Sequence, residues 1–266
     1  MKARGERLAD GLSGFVTVLV LAVLYAPVVI SALFSVVDIH NGRIDWASFS
    51  LSRYVTLWDN PSIIGALAST AIVAAVAVAA AVVLAVLLAL YTQWEGALGR
   101  RFLELAIYLP FLLPPIVTGL SLLVASAQFG IARGLTTVIV GHTVFVLAVA
   151  YRLVLTRLEA MPASLVEASS DLGATRLQTF RHVLLPHLVS AIVTGAMLAL
   201  TLSFDETLIT VFLAGDATTL PLRLWAMMRV GFSPEINALV TLVLLISLAL
   251  AGVVAWRMRP EGQTEE

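Results

Sequence analysis

Residues 63–92 read Ile63-Ile-Gly-Ala-Leu-Ala-Ser-Thr-Ala71-Ile-Val-Ala-Ala-Val-Ala-Val-Ala-Ala-Ala81-Val-Val-Leu-Ala-Val-Leu-Leu-Ala89-Leu-Tyr-Thr92, without one charged side chain. At ~1.5 Å per residue, about 20 apolar residues cross the hydrocarbon core of a bilayer, so this stretch is long enough to span it. Its small residues, from Ala71 to Ala89, let neighbouring helix backbones approach closely. Comparable runs flank it at 12–37, 102–127, 135–156, 187–213 and 235–256. Of the 266 residues 60% are hydrophobic and 12% charged, with a mean hydropathy of +0.98. A soluble domain is nearer half apolar and a quarter charged. The excess apolar surface calls for lipid. An all-α membrane protein of about six transmembrane helices is expected, as a single transmembrane domain over 1–266.

The N-terminal run follows Lys2, Arg4 and Arg7, as a secretory signal does, but 12–37 exceeds the 7–15 residues of a signal core. It reads as the first span. Cytoplasmic segments then carry Lys2, Arg4, Arg7, Arg100, Arg101, Arg152, Arg157, Arg176, Arg181, Arg257 and Arg259. Outer segments carry Arg43, Arg53, Arg133, Arg223 and Arg229. This bias puts both termini in the cytoplasm. Outer segments are expected at 38–62 and 214–234, with a long cytoplasmic loop at 157–186. The third span holds Pro110, Pro114 and Pro115, each removing a backbone donor, so that helix should kink or break against protein or a cavity. No internal repeat relates the two halves, which speaks against an inverted-repeat transporter.

Several classes of chemistry are excluded. No Cys is present, so disulfide, thiol and zinc-knuckle chemistry are absent. The net charge of −1, without a basic tract, offers nothing to nucleic acid. His40, His142, His182 and His187 lack metal spacing and read as loop and helix-end residues. No catalytic or metal site is expected. A Gly-x-x-x-x-Gly-Lys-Ser/Thr loop is also missing, so any ATP must be bound on another polypeptide.

Asp205 and Glu206 stand out, within Thr201-Leu-Ser203-Phe-Asp-Glu-Thr207 of the fifth apolar run. A carboxylate at a helix centre costs about 2.5–3.5 kcal/mol on insertion scales and faces protein or water. Counted from His187 along one continuous helix, Asp205 lies about 27 Å from the cytoplasmic end. On that helix Thr201 shares the Asp205 stripe, while Ser203 and Thr210 share the Glu206 stripe. Two readings stand. At least one acid binds a substrate ammonium or governs passage, with Phe204 and Trp225 available to stack on an amine; or the acids pair with Arg223 or Arg229 and the aromatics pack. A proton relay in a secondary transporter is a further use of intramembrane acids. A membrane-embedded enzyme would need a nucleophile or metal cluster that the sequence lacks.

The cytoplasmic loop is the most specific stretch. Pro162 suits the first turn of a helix and Gly173 the left-handed position past its end. Thr175 can cap a second helix, whose apolar residues Leu177, Phe180, Val183 and Leu184 recur at helical spacing. Pro186 begins the fifth span. In Glu167-Ala168-Ser169, three residues, Gly173, nine residues, Val183-Leu-Leu185-Pro186, the loop resembles the cytoplasmic signature of permease subunits of binding-protein-dependent ABC importers. Ser169 stands for the second Ala and Val183 for Ile. The likeness extends to Tyr25-Ala-Pro27, Pro110-Phe-Leu-Leu-Pro-Pro, Ser203-Phe-Asp-Glu, Thr219-Leu-Pro221 and Arg229-Val-Gly through Pro234-Glu-Ile-Asn237. There the chain is similar to the second permease of spermidine/putrescine importers.

That resemblance implies a type I ABC importer permease fold in a bacterial inner membrane, paired with a homologous permease. Two ATP-binding subunits would carry ATP and Mg, and an extracytoplasmic binding protein would deliver cargo. By the same resemblance Glu167, Ala168, Ser169, Gly173, Leu185 and Pro186 form the ATPase-coupling elbow. Asp205, Glu206, Thr201, Ser203, Phe204 and Trp225 border the substrate path. Polyamine is the leading cargo, with opines, other amino compounds and ferric iron as relatives' alternatives.

Overall fold

The computed structural model describes residues 4–40, 43–94, 96–230 and 234–257. In chain order they form α1 (Arg4–Phe34), β1 (Asp38–His40), β2 (Arg43–Asp45), α2 (Ser52–Trp58), α3 (Pro61–Gln93), α4 (Arg100–Leu112) and α5 (Pro115–Gln128). There follow α6 (Leu135–Glu159), α7 (Ala163–Asp171), α8 (Arg176–Thr179), a π-helical turn at Phe180–Leu184, α9 (Leu185–Phe204), α10 (Leu208–Leu213), α11 (Leu220–Val230) and α12 (Pro234–Arg257). Among the described residues five helices are long and apolar enough to cross a membrane, or six if the bent pair α4–α5 is one span. The residues gather into two compact units, 1–64 with 224–245, and 65–223 with 246–266.

In the first unit the polar segment after α1 folds into a short hairpin. Strands β1 and β2 pair antiparallel, with Asp38 opposite Asp45 and Ile39 opposite Ile44. Runs of three residues are too short for alternation to show, which is why periodicity missed them, although Asn41-Gly42 is a hairpin dipeptide. Arg53 ties the segment to α1. Its Nη1 donates to the carbonyls of Phe34 at 3.0 Å and Val37 at 3.1 Å, and its Nη2 pairs with the Asp38 carboxylate. A cation so placed satisfies carbonyls that a helix end leaves open. Ser35 Oγ and Tyr54 OH share a hydrogen bond at 2.7 Å on the same helix end.

The second unit is built on a stripe of small residues. Ala77, Ala81, Ala85, Ala89 and Thr92 repeat along one face of α3 and are fully buried. Ala81 packs with Val138, Phe145 and Val146 of α6, and Ala85 and Ala89 join Tyr151, Val154 and Leu188 further along. The close approach brings Thr92 Oγ1 and Tyr151 OH to 2.9 Å. The methyl-sized face of α3 is what allows a buried tyrosine of α6 to reach a threonine on it.

The third span breaks, by 113° between α4 and α5. Leu113 is extended (φ −75°, ψ 148°), as a residue before proline prefers, and Pro115 opens α5, where its missing N–H costs nothing. Thr118 Oγ1 donates to the Pro110 carbonyl at 3.1 Å and so repairs part of the interrupted ladder. The fifth span differs from the sequence reading of one helix over 187–213. It starts earlier, running from Arg176 through the π turn, and stops at Phe204. Pro186 has no N–H to give the carbonyl four residues back, and just before it the Leu185 N–H donates to Phe180 O, five residues back, in the wider π register.

Enlarging the buried side of α3 should therefore be costly and enlarging its exposed side harmless. Ala81→Leu is expected to lower stability by about 1–3 kcal/mol, read as the thermal midpoint of the purified protein in detergent. Ala75→Leu, on the exposed face of the same helix, should leave the midpoint unchanged.

Candidate functional site

All the sequence's candidate residues but Trp225 fall in two regions, one at each end of the rod formed by α8, the π turn and α9. At the first end lies the elbow. Helix α7 begins after Pro162, its cap residue, and closes on Gly173 at φ +77°. The Gly173 N–H donates to Ser170 O at 2.9 Å and the Ala174 N–H to Ser169 O at 3.1 Å, the paired bonds of a Schellman closure. Thr175 then caps α8 reciprocally with Gln178. The Thr175 N–H donates to Gln178 Oε1 at 2.8 Å, and the Gln178 N–H reaches Thr175 Oγ1 at 3.4 Å.

Ser169, the residue that departs from the family signature, has a visible task. Its Oγ lies 2.9 Å from Thr179 Oγ1 and pins α7 against α8. Glu167 and Ala168 are exposed, as are the apolar side chains of Leu165, Leu172 and Leu177. Glu167 also borders a cavity of about 740 Å³ with Arg176, Glu159 and Gln93. Leu185 is half-buried and Pro186 exposed, both on the rod just past the π turn. A charged, partly apolar knob on a stiff stem is thus presented for contact.

At the other end the chain leaves α9 at Asp205 and re-enters helix at Leu208. The run Ser203-Phe-Asp-Glu-Thr207 is rich in side chains that compete with the backbone for hydrogen bonds, a local reason for helix to stop there. Glu206 takes up the break: its Oε1 accepts the Ile209 N–H at 2.9 Å, capping the first turn of α10. Asp205, one residue earlier, is exposed. The two acids therefore have different surroundings, one turned onto backbone and one open. The described ion pairs are Arg53–Asp38 and Arg100–Glu104, and neither involves Asp205 or Glu206.

Thr201, Ser203 and Phe204 lie in the last turn of α9, beside the break. Thr201 Oγ1 donates to Met197 O at 3.1 Å, and Phe204 is buried. Ser203 and Thr210 do not extend one Glu206 stripe, because the helix between them is interrupted; both instead meet His142. In the first unit, the Arg229 guanidinium lies 3.9 Å from the Trp225 ring centre, so one face of that indole already holds a cation. The buried Nε of Arg223 has no hydrogen-bond partner among the described residues.

His142 corrects the reading of all four histidines as loop and helix-end residues. It sits inside α6 at 1% exposure, with Nδ1 2.8 Å from Ser203 Oγ and Nε2 2.9 Å from Thr210 Oγ1. The signal that could have found it is a lone imidazole in the apolar run 135–156, where a polar group needs a partner. Helix α10 is seated close by on two glycines. A Cβ at Gly119 would meet the Ile209 Cα at 3.1 Å, and one at Gly141 would meet Leu213 Cδ1 at 2.6 Å.

The described residues are mostly helical, with several helices long and apolar enough to cross a membrane, a proline-broken span and a capped elbow. The chain belongs to the family of binding-protein-dependent transport system inner membrane components, which it matches over residues 81–259. It is 33% identical over 253 residues to the putrescine transport system permease protein PotI of Escherichia coli K12, covering 91% of this chain and 88% of that one. It is 31% identical over 254 residues to the spermidine/putrescine transport system permease protein PotC of the same strain, covering 94% and 96%. In fold it is similar to a bacterial alginate ABC transporter crystallised with an alginate pentasaccharide-bound periplasmic protein. The TM-score is 0.69 at 14% identity, over 96% of this chain and 93% of that one. The chain is a permease subunit of an ABC importer with the type I fold.

The elbow's closure should depend on Gly173. Gly173→Val forces a β-branched side chain into the left-handed region at a cost of about 1–2 kcal/mol. The expected result is faster proteolysis within 157–186 at an unchanged global thermal midpoint. Cleavage at the native rate would show that the closure does not hold the elbow.

Proposed function

We propose that this permease forms half of the translocation path of an ATP-driven importer for polyamines of the spermidine or putrescine kind. The observation that carries the reading is the break after α9, where Asp205 offers an open carboxylate while Glu206 is committed to the α10 backbone. A flexible polycation is met by a carboxylate at such a gap in the helix, where backbone and side chains line a cavity rather than lipid. The names of the two curated relatives support the same cargo class.

In this reading a second, homologous permease supplies the other half of the path. Two ATP-binding subunits carry ATP and Mg and dock on the elbow, against Glu167, Ala168 and the exposed leucines beside them. The elbow residues Ser169, Gly173, Leu185 and Pro186 hold its shape and its join to α9. An extracytoplasmic binding protein delivers cargo to the outer segments 38–62 and 214–234, in line with the periplasmic protein captured on the alginate transporter. The chain itself binds no cofactor and hydrolyses nothing. Both termini face the cytoplasm of a bacterium, and residues 1–266 act as one permease domain in its inner membrane. The rod from Arg176 to Phe204 spans 29 residues, about 44 Å, and joins the elbow to the acids directly.

The test is ATP hydrolysis by the reconstituted assembly as binding protein with spermidine or putrescine is added. Wild type should be stimulated. Asp205→Asn, which deletes the charge and keeps the shape, should require roughly tenfold more polyamine, the scale of one lost charge-assisted contact. Equal stimulation of both would remove Asp205 from the path. An active assembly indifferent to polyamine would move the cargo to opines, other amino compounds or ferric iron.

A further inference from the structure

The break that exposes Asp205 is bridged from outside by a single side chain. His142 stands on α6, yet its two ring nitrogens contact the last turn of α9, at Ser203, and the first turn of α10, at Thr210. The direction of these bonds follows from counting hydrogens. Thr210 Oγ1 donates its one hydrogen to the Glu206 carbonyl at 3.0 Å, so it can only accept from His142. Nε2 therefore carries the ring's proton, and Nδ1 accepts from the Ser203 hydroxyl. The chain of bonds runs Ser203 to His142 to Thr210 to the backbone of Glu206. It starts from the last turn of α9, before the acids, and ends on the backbone carbonyl of Glu206.

The surroundings fix this bridge in place. Ser203 and Thr210 are as deeply buried as the imidazole, and Ser203 and the imidazole border a small void with Thr70, Val73, Phe204, Glu206 and Thr219. Thr70 Oγ1 accepts the Leu220 N–H at 2.7 Å, so the start of α11 is tied to the same locus. Losing the imidazole would leave two buried hydroxyls without that partner and α9 and α10 without their common tie. Gly141, the residue before His142, lets α10 approach closely enough for the bond to form.

We infer that His142 is a positioning residue of the permease: by bridging Ser203 and Thr210 it sets the geometry of the α9–α10 break and thereby where Asp205 stands in the path. The consequence for transport rests on the reading of Asp205 as the acid that meets the cargo; the bridge itself does not. Glutamine can reproduce the bridge, because its side-chain oxygen and nitrogen offer one acceptor and one donor about as far apart as the imidazole nitrogens. Leucine fills similar space and offers neither.

The absence of cysteine in this chain makes the position of Asp205 directly measurable. In the full reconstituted assembly, Asp205→Cys is combined with native His142, His142→Gln or His142→Leu. The rate at which a cationic methanethiosulfonate labels this chain is then measured. His142→Leu is expected to change the rate roughly tenfold, the scale of two lost hydrogen bonds, and His142→Gln to restore it. An unchanged rate with His142→Leu overturns the inference, and so does a changed rate that His142→Gln fails to restore. Should His142→Leu not assemble, Thr210→Val removes one end of the bridge and must shift the rate in the same direction. A parallel uptake assay on the Asp205-bearing variants separates the two claims. If labelling shifts as expected while the assembly ignores polyamines, the bridge stands and the cargo reading falls.

Discussion

A backbone amide inside a bilayer has no water to turn to, and every interruption of a spanning helix must be repaired by groups within the protein. The second unit follows from that constraint. Two of its spans are interrupted, and each interruption comes with its repair. At Leu113–Pro115 the chain loses donors to proline, and Thr118 returns a hydrogen bond to the Pro110 carbonyl. At Asp205–Thr207 the chain leaves helix altogether, and Glu206 satisfies the Ile209 N–H while His142 joins the two stumps. A π turn at Phe180–Leu184 precedes Pro186, which has no hydrogen to give the helix.

The repairs also divide labour among chemically similar residues. Asp205 and Glu206 are adjacent carboxylates of nearly equal reach, yet one caps a helix and the other is open. Ser169 and Ser203 are both small hydroxyls, yet one joins the two helices of the elbow and the other anchors the histidine bridge. A rod of helix connects these two places. The elbow leads into its first turn, and the end of α9 is the edge of the acid break.

Much of this was legible in the sequence because it rests on periodicity and punctuation. The spans announce themselves by length and apolarity, and the Ala stripe of α3 by its composition. The elbow is legible because Gly173 and Thr175 are local signals whose bonds are made within a few residues. The broken third span was readable from its prolines. The second break was only half legible: Ser203-Phe-Asp-Glu-Thr207 holds side chains that compete with the backbone, yet the run is also compatible with a helix, and its partners on α6 and α10 decide against one. His142 was missed for the same reason: its two partners lie 61 and 68 residues away in sequence. The hairpin after α1 escaped because three-residue strands leave no period to read.

In the proposed function this chain works only as part of an ATP-driven machine that moves a polycation. Uptake of labelled spermidine into proteoliposomes tests it most directly, comparing the full assembly with and without ATP on the ATPase side, and this chain alone. Uptake is expected from the full assembly with ATP and from neither of the other two. Uptake by the chain alone, driven by a proton gradient, would contradict it and make Asp205 and Glu206 a proton relay instead.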